Sequence, residues 1–387
     1  ANLLAPALYG INLDNIPILG FENARRAFLF GLLHAHFLAY HRNILADCLV
    51  YKFLHLRQFF LRHRPREVEI KAQSLCCNIA SALVNARIQN FLEPCKQQMR
   101  RRMQAGRLFT RIRQAAFEEH GVGLKGAAEA IYQFNAGLID ALCDVVPAVK
   151  PQSAYYENLG WQGMEMLERT IRYAKSKGLF VIADIKRGDI GSTAAAYAEG
   201  WLSGASIEGQ QFKSFDADCV TLNGYMGSDS INPFLKAAKE EGKCVFVLVK
   251  TSNPGSGELQ DIVAGDRLVY QVMGDLNERI AAGTEGKYGY TMAGAVTGAT
   301  YPSDIRALRK RLEHTFFLVP GYGAQGGTAD DVRYAFDKYG HGAIVNSSRG
   351  IMCAWQKTGG DGHDFQEAAR NAAIAMRDDI KQFVTIV

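Results

Sequence analysis

The sequence has no run of 18 or more apolar residues free of charge, which excludes a membrane-spanning helix of ordinary length. Its eight cysteines are scattered, with only Cys76 and Cys77 adjacent, and no CxxC pair or His/Cys spacing of metal-site type occurs. A structural zinc module is therefore not expected. Reduced thiols in an intracellular compartment are the better reading, with the cytoplasm expected and a mitochondrial location as the alternative. Acidic residues are scarce at one end only. Residues 1–113 hold 17 Lys+Arg against 6 Asp+Glu, whereas the remaining residues hold 27 against 33. Glycine is as lopsided, with 4 of 38 in the first 113 residues. The formal charge of +5 thus hides a basic region and an acidic one, and the composition changes near Arg113.

What is present after that point is regular. From about Gln114, short apolar runs alternate with amphipathic helical patterns. Strands are expected at 145–152, 179–186, 217–224, 244–252, 291–300, 314–323 and 342–350, with helices between them such as 163–177 and 304–312. Repeated βα units of this length predict a parallel sheet covered by helices. Seven strands are one short of a (β/α)₈ barrel, so the first must come from upstream of Val145. Glycine and polar residues cluster after each strand's C-terminal end, where barrels build their sites.

One run carries the strongest chemical signal. Val181-Ile182-Ala183-Asp184-Ile185-Lys186-Arg187-Gly188-Asp189 begins as a buried strand and ends in Asp-x-Lys-x-x-Asp. Alternation along a strand puts Asp184 and Lys186 on the same side, with Asp189 in the loop beyond. A lysine between carboxylates at a strand mouth is costly to desolvate and points to chemistry rather than stability, although a structural ion-pair cluster at a barrel rim would read similarly.

Five further motifs stand at predicted strand ends. They are Val146-Pro147-Ala148-Val149-Lys150-Pro151-Gln152, Thr221-Leu222-Asn223-Gly224-Tyr225-Met226-Gly227 and Thr251-Ser252-Asn253-Pro254-Gly255-Ser256-Gly257. Val319-Pro320-Gly321-Tyr322-Gly323-Ala324-Gln325-Gly326-Gly327 and Val345-Asn346-Ser347-Ser348-Arg349-Gly350 complete them. Together with Asp184-Ile185-Lys186-Arg187-Gly188-Asp189-Ile190-Gly191-Ser192-Thr193, this set resembles the longer bacterial-type subfamily of orotidine 5′-phosphate decarboxylases, over about residues 114–387. The resemblance implies a (β/α)₈ barrel that converts orotidine 5′-monophosphate to UMP in pyrimidine biosynthesis, with neither metal nor organic cofactor. Lys150, Asp184, Lys186 and Asp189 match the family's catalytic array, with Lys186 as proton donor to C6 and Lys150 orienting Asp184 and the ribose. It further implies that Asp189 and Thr193 reach into a neighbouring subunit's site, so a homodimer is expected. Ser252 matches the base contact on a closing loop, and Asn223 a pocket-lining position. Gln325, Arg349 and Gly350 match the phosphate end, where glycines let backbone N–H groups approach an anion and Arg adds charge-assisted bonds.

The family's first strand, ending Gly-Leu-Asp-Pro with an Asp on the ribose, has no counterpart here. Either residues 7–14 form it, with Asp14 as the ribose ligand, or residues 81–88 form a degenerate version that lacks the Asp. Spacing to Gln114 favours the second. The expected domains are then a basic, mainly helical extension over 1–80, its boundary lying as late as 113, and a barrel over 81–387. Basic clusters at 57–66 and 100–113 suit a solvated surface, protein partners, or contact with nucleic acid or membrane. They leave a second reading open, in which the barrel is a structural subunit of a larger, mitochondrial assembly docked through its extension. A sugar-phosphate barrel sharing Asp-x-Lys-x-x-Asp is disfavoured by residues 187–193 and 251–255.

Overall fold

The computed structural model describes residues 106–358 and 362–385. The chain divides into two compact units, Ala1–Gln97 and Gln98–Val387, and every described residue belongs to the second. The expected basic extension, Asp14 and both placements of the first barrel strand lie outside the described residues.

Two helices, α1 (Gly106–His120) and α2 (Leu124–Leu142), lead into the sheet. Seven strands then alternate with helices. The strands are β1 (Ala148–Val149), β2 (Phe180–Arg187), β3 (Cys219–Leu222), β4 (Cys244–Lys250), β5 (Ala293–Thr297), β6 (Phe317–Pro320) and β7 (Ala343–Asn346). All pair in parallel and in chain order, as the repeated βα pattern predicts. The main covering helices are α3 (Gly160–Ser176), α4 (Gly191–Ala198), α5 (Asn232–Glu241), α6 (Val269–Ala281), α7 (Pro302–Arg311) and α8 (Phe365–Lys381). This is a (β/α)₈ barrel of which seven strands fall within the described residues. Among those residues no strand pairs with the outer edge of β1 or β7.

The strands read as continuous apolar runs because both faces are buried. Ile182, Cys219, Phe246, Val296 and Leu318 form the inner layer of the barrel. The alternate positions Val181, Ala183, Val220, Val245 and Val247 pack outward with Leu167 and Ile171 of α3 and Phe234 of α5. Helix α2 packs against both α3 and α8.

Strand β1 is shorter than expected. Regular pairing covers only Ala148–Val149 and resumes as a single bridge between Gln152 and Asp184. Pro147 and Pro151 flank it and have no N–H to give to the ladder. Their carbonyls still accept, from Phe180 N–H at 3.0 Å and Asp184 N–H at 2.9 Å. The interruption frees Lys150 from regular pairing. Two other irregularities lie at the same end of the sheet: the β2–β3 register shifts between Ala183 and Arg187, and the β4–β5 register between Leu248 and Lys250. Such bulges re-aim side chains, and these do so where the candidate residues sit. An exposed antiparallel hairpin, Ala205–Ile207 with Gln210–Phe212, was not foreseen from the sequence.

Candidate active site

At the mouth of β2 a single carboxylate is clasped by two ammonium groups. Asp184, 5% exposed, accepts from Lys150 Nζ at 2.5 Å through Oδ2 and from Lys186 Nζ at 2.5 Å through Oδ1. Burial is the largest influence on Asp184 and raises its pKa. The charges and hydrogen bonds of Lys150 and Lys186 together outweigh it and hold the carboxyl below its usual range. The two lysines differ in access: the Lys150 side chain is 13% exposed and that of Lys186 45%. Lys150 is therefore the anchored partner, and Lys186 is the cation that faces open space.

Lys186 also carries an unusual backbone, with φ of 46° in the left-handed region. That conformation costs a non-glycine residue about 1 kcal/mol or more. Thr221, 1% exposed at the end of β3, helps to hold it. Its Oγ1 accepts the Lys186 N–H at 3.0 Å and donates to Asp184 Oδ1 at 2.9 Å. One hydroxyl thus fixes both the strained backbone and the carboxylate. The sequence reading quoted Thr221 inside a motif without giving it a role. The available signal was a polar residue inside an otherwise apolar buried strand, Cys219-Val220-Thr221-Leu222.

A cavity of about 1500 Å³ reaches this group and extends past β1 and β7 to side chains of α2 and α8 such as Leu138 and Met376. Lys150, Asp184, Lys186, Thr221, Asn223, Ser252, Gln325 and Arg349 all line it. On the same cavity, Ser252 Oγ donates to Gln325 Oε1 at 2.8 Å, joining the loop after β4 to the loop after β6. Asn223 is exposed, and its side chain accepts from Tyr225 N–H at 3.1 Å, stabilising its own turn. Arg349 is exposed, with Nη2 3.5 Å from the Ala324 carbonyl. Gly350 packs close to Ser347, whose Oγ would lie 2.6 Å from a Cβ there.

The glycine-rich turn after β6 departs from expectation in detail. Gly321, Gly323 and Gly326 have φ of 111°, 72° and 101°, so the turn needs glycine for its shape. The Gly323, Gly326 and Gly327 N–H groups, however, are spent inside the turn, on the carbonyls of Gly327, Gly323 and Gly321. The side chains of Gln325 and Arg349, rather than these N–H groups, line the cavity.

Asp189 and Thr193 do not join the array within this chain. Asp189 accepts from Ile190 N–H at 2.8 Å, Thr193 is exposed on α4, and neither lines the cavity. No group of three or more His, Cys, Asp or Glu suited to a metal occurs among the described residues.

Gly298, just beyond β5, was also missed. A Cβ there would lie 2.9 Å from the Cβ and backbone nitrogen of Ser252, and the Gly298 N–H donates to the Lys250 carbonyl at 2.8 Å. Gly298→Ala is expected to push Ser252 away from Gln325. Steady-state kinetics should show kcat/KM lower by about tenfold to a hundredfold, since sub-ångström displacement in a site carries such penalties. Unchanged kinetics in a folded Gly298→Ala protein would show that Ser252 tolerates displacement.

Comparison with known proteins settles the family. The family model for orotidine 5′-phosphate decarboxylase / HUMPS matches residues 134–358, more than half of the chain. The chain belongs to this family. It is 44% identical over 258 residues to the orotidine 5′-phosphate decarboxylase of Rhodopirellula baltica, covering 66% of this chain and 84% of the relative. With that of Clostridium perfringens it shares 43% identity over 268 residues, 69% of this chain and 90% of the relative. The solved OMP decarboxylase of Leishmania donovani superposes with a TM-score of 0.51 at 32% identity, over 65% of this chain and 89% of that one. The UMP synthase of the same organism gives 0.54 at 35% identity over 66% of this chain, which spans about half of that longer protein. Membership of the decarboxylase family agrees with the parallel barrel. Nothing in these comparisons supports the reading as a purely structural subunit.

Proposed function

We propose that the clasped carboxylate and its two lysines carry out the decarboxylation of orotidine 5′-monophosphate to UMP, the lyase activity of the family and a step of pyrimidine biosynthesis. The observation that carries the reading is Asp184 held ionised between Lys150 and Lys186 on the lining of a cavity that Ser252 and Gln325, bonded to each other, also line. In this arrangement Arg349 and Gln325 take the phosphate, Ser252 the pyrimidine edge, and Lys150 with Asp184 the ribose side. Asn223 contributes to the wall. As the C6–carboxylate bond breaks, its electron pair stays on C6, next to the ammonium of Lys186. That charge stabilises the developing carbanion and then supplies the proton, and CO₂ leaves. The negative Asp184 stands near the substrate carboxylate and favours its loss. No helix among the described residues is long and apolar enough to cross a membrane.

The deciding experiment is loss of orotidylate absorbance with purified wild-type protein. No turnover would sink the reading, and production of UMP with stoichiometric CO₂ supports it.

A homodimer completes the proposal, with Asp189 and Thr193 serving the neighbouring subunit's cavity. What supports it is that both lie at the loop and helix directly after β2 yet away from their own cavity. Mixing inactive Asp189→Asn with inactive Lys186→Ala should restore roughly a quarter of wild-type activity, since half of the randomly reassociated two-fold dimers would hold one intact site. No recovery after subunit exchange would remove the shared site.

A further inference from the structure

The loop that carries Ser252 begins and ends on a buried charge that the decarboxylation as read above does not use. Lys250, the last residue of β4, is 1% exposed. Its Nζ bonds the carboxylate of Asp261, eleven residues later, and stands 3.7 Å from Asp304 Oδ2 at the start of α7. It also lies over two aromatic faces, 5.0 Å from the ring centre of Tyr270 and 4.6 Å from that of Tyr301. A lysine is almost never buried to this degree unless it is paired. Here its partners are Asp261 at the far end of the loop, Asp304 in the first turn of α7, Tyr301 at the N-cap of α7 and Tyr270 of α6.

A second layer of bonds closes the same neck. Thr251 N–H donates to Gln260 Oε1 at 2.9 Å, and Gln260 Nε2 donates back to Thr251 Oγ1 at 2.8 Å. Within the loop, Ser256 is 3% exposed and its Oγ lies 3.4 Å from the Tyr301 hydroxyl. Tyr301 therefore touches both the lysine below and the loop above. Several residues between are exposed, Asn253-Pro254-Gly255 and Leu259 among them. The loop is thus tethered at its base by a desolvated cation and exposed at its rim. Ser252, two residues from Lys250, is the tethered residue that reaches the cavity.

We propose that Lys250 and Asp261 are positioning residues that anchor the neck of the 251–260 loop and so hold Ser252 where it can meet the pyrimidine. This rests on the decarboxylase reading above. Fixing the loop in advance removes an ordering cost from binding. The proposed pyrimidine contact of Ser252 is remote from C6 and is made alike in the ground state and the transition state, so its loosening acts on KM more than on kcat.

Asp261, with a side chain 44% exposed, is the partner that can be changed without unfolding the barrel, whereas Lys250→Met risks misfolding. In the full chain, Asp261→Asn is expected to raise KM for orotidylate by about tenfold while kcat stays within about threefold. In a Ser252→Ala background the same change should cost much less, because residues acting through one group are not additive. Hydrogen exchange read by mass spectrometry supplies a measurement independent of turnover. Amides in 251–261 should exchange faster in Asp261→Asn than in wild type, and those of β2 to β4 should not. Unaltered KM, a loss as large without Ser252 as with it, or faster exchange throughout the barrel would each overturn the proposal. If wild-type protein does not turn over orotidylate, the decarboxylase reading fails, and the exchange experiment still decides whether the neck orders the loop.

Discussion

Lys186→Ala is expected to lower kcat/KM by about 10⁴-fold or more, since it removes both the proton donor and the charge that faces the developing carbanion. The protein should stay folded. The Lys186 side chain is half exposed, and Asp184 keeps its bond to Lys150 at 2.5 Å and to Thr221 at 2.9 Å. Stability carries a second signature. Alanine inherits the left-handed φ of 46°, whereas glycine adopts it without steric cost. Lys186→Gly should therefore be equally inactive but more stable than Lys186→Ala by about 1 kcal/mol, seen by chemical denaturation. Retained activity in either variant would move the proton donor elsewhere. Equal stability of the two would show that the strain is not felt.

Asp184→Asn should have the largest effect on stability. The amide cannot balance two ammonium groups, one of them largely buried. Breaking a buried pair costs about 3–5 kcal/mol, and the low end applies because Lys186 is partly solvated. Activity should fall with it, because Lys186 loses the partner that holds its Nζ and Thr221 loses its acceptor. The effect depends on pH with a definite sign. The folded-state pKa of Asp184 lies below its ordinary value. Its contribution is therefore fully present above the unfolded carboxylate pKa and is lost as pH falls through the lower, folded one. The stability gap between wild type and Asp184→Asn should be full at neutral pH and should close only below the usual carboxylate range. A gap already closing near pH 6 would contradict this and would mean that Asp184 is not held ionised by the lysines.

The chemistry of the site was more legible than its geometry. Asp184 and Lys186 were expected on one side of a strand, and they meet there. All seven downstream strands were placed, because a strand buried on both faces must be apolar throughout and must then end in turn residues. The length of β1 was not legible, since Pro147 and Pro151 interrupt the ladder without interrupting the apolar run. Thr221 was hidden because its role depends on the neighbouring strand. It bonds across the sheet to residues 35 and 37 positions earlier, which no local pattern encodes. Gly298 was hidden for a similar reason: its lack of a side chain matters only where Ser252 crosses it.

The sequence by itself determined the fold class, through the period of its apolar runs, and the residue types of the site, through charged groups placed where strands end. Those are local properties, set by which side chains can be buried and which cannot. Only the tertiary structure decided that the clasp is Asp184 between two lysines rather than Lys186 between Asp184 and Asp189. The register of β2 against β3 and the bend at Lys186 set which groups come within hydrogen-bond reach. The tertiary structure likewise made Lys250 a buried cation and Ser252 the partner of Gln325, contacts made between loops that are distant along the chain. Asp184 to Asp189 thus reads in sequence as one run of charge, whereas in space its two carboxylates part, one onto the lining of the cavity and the other to the start of the next helix.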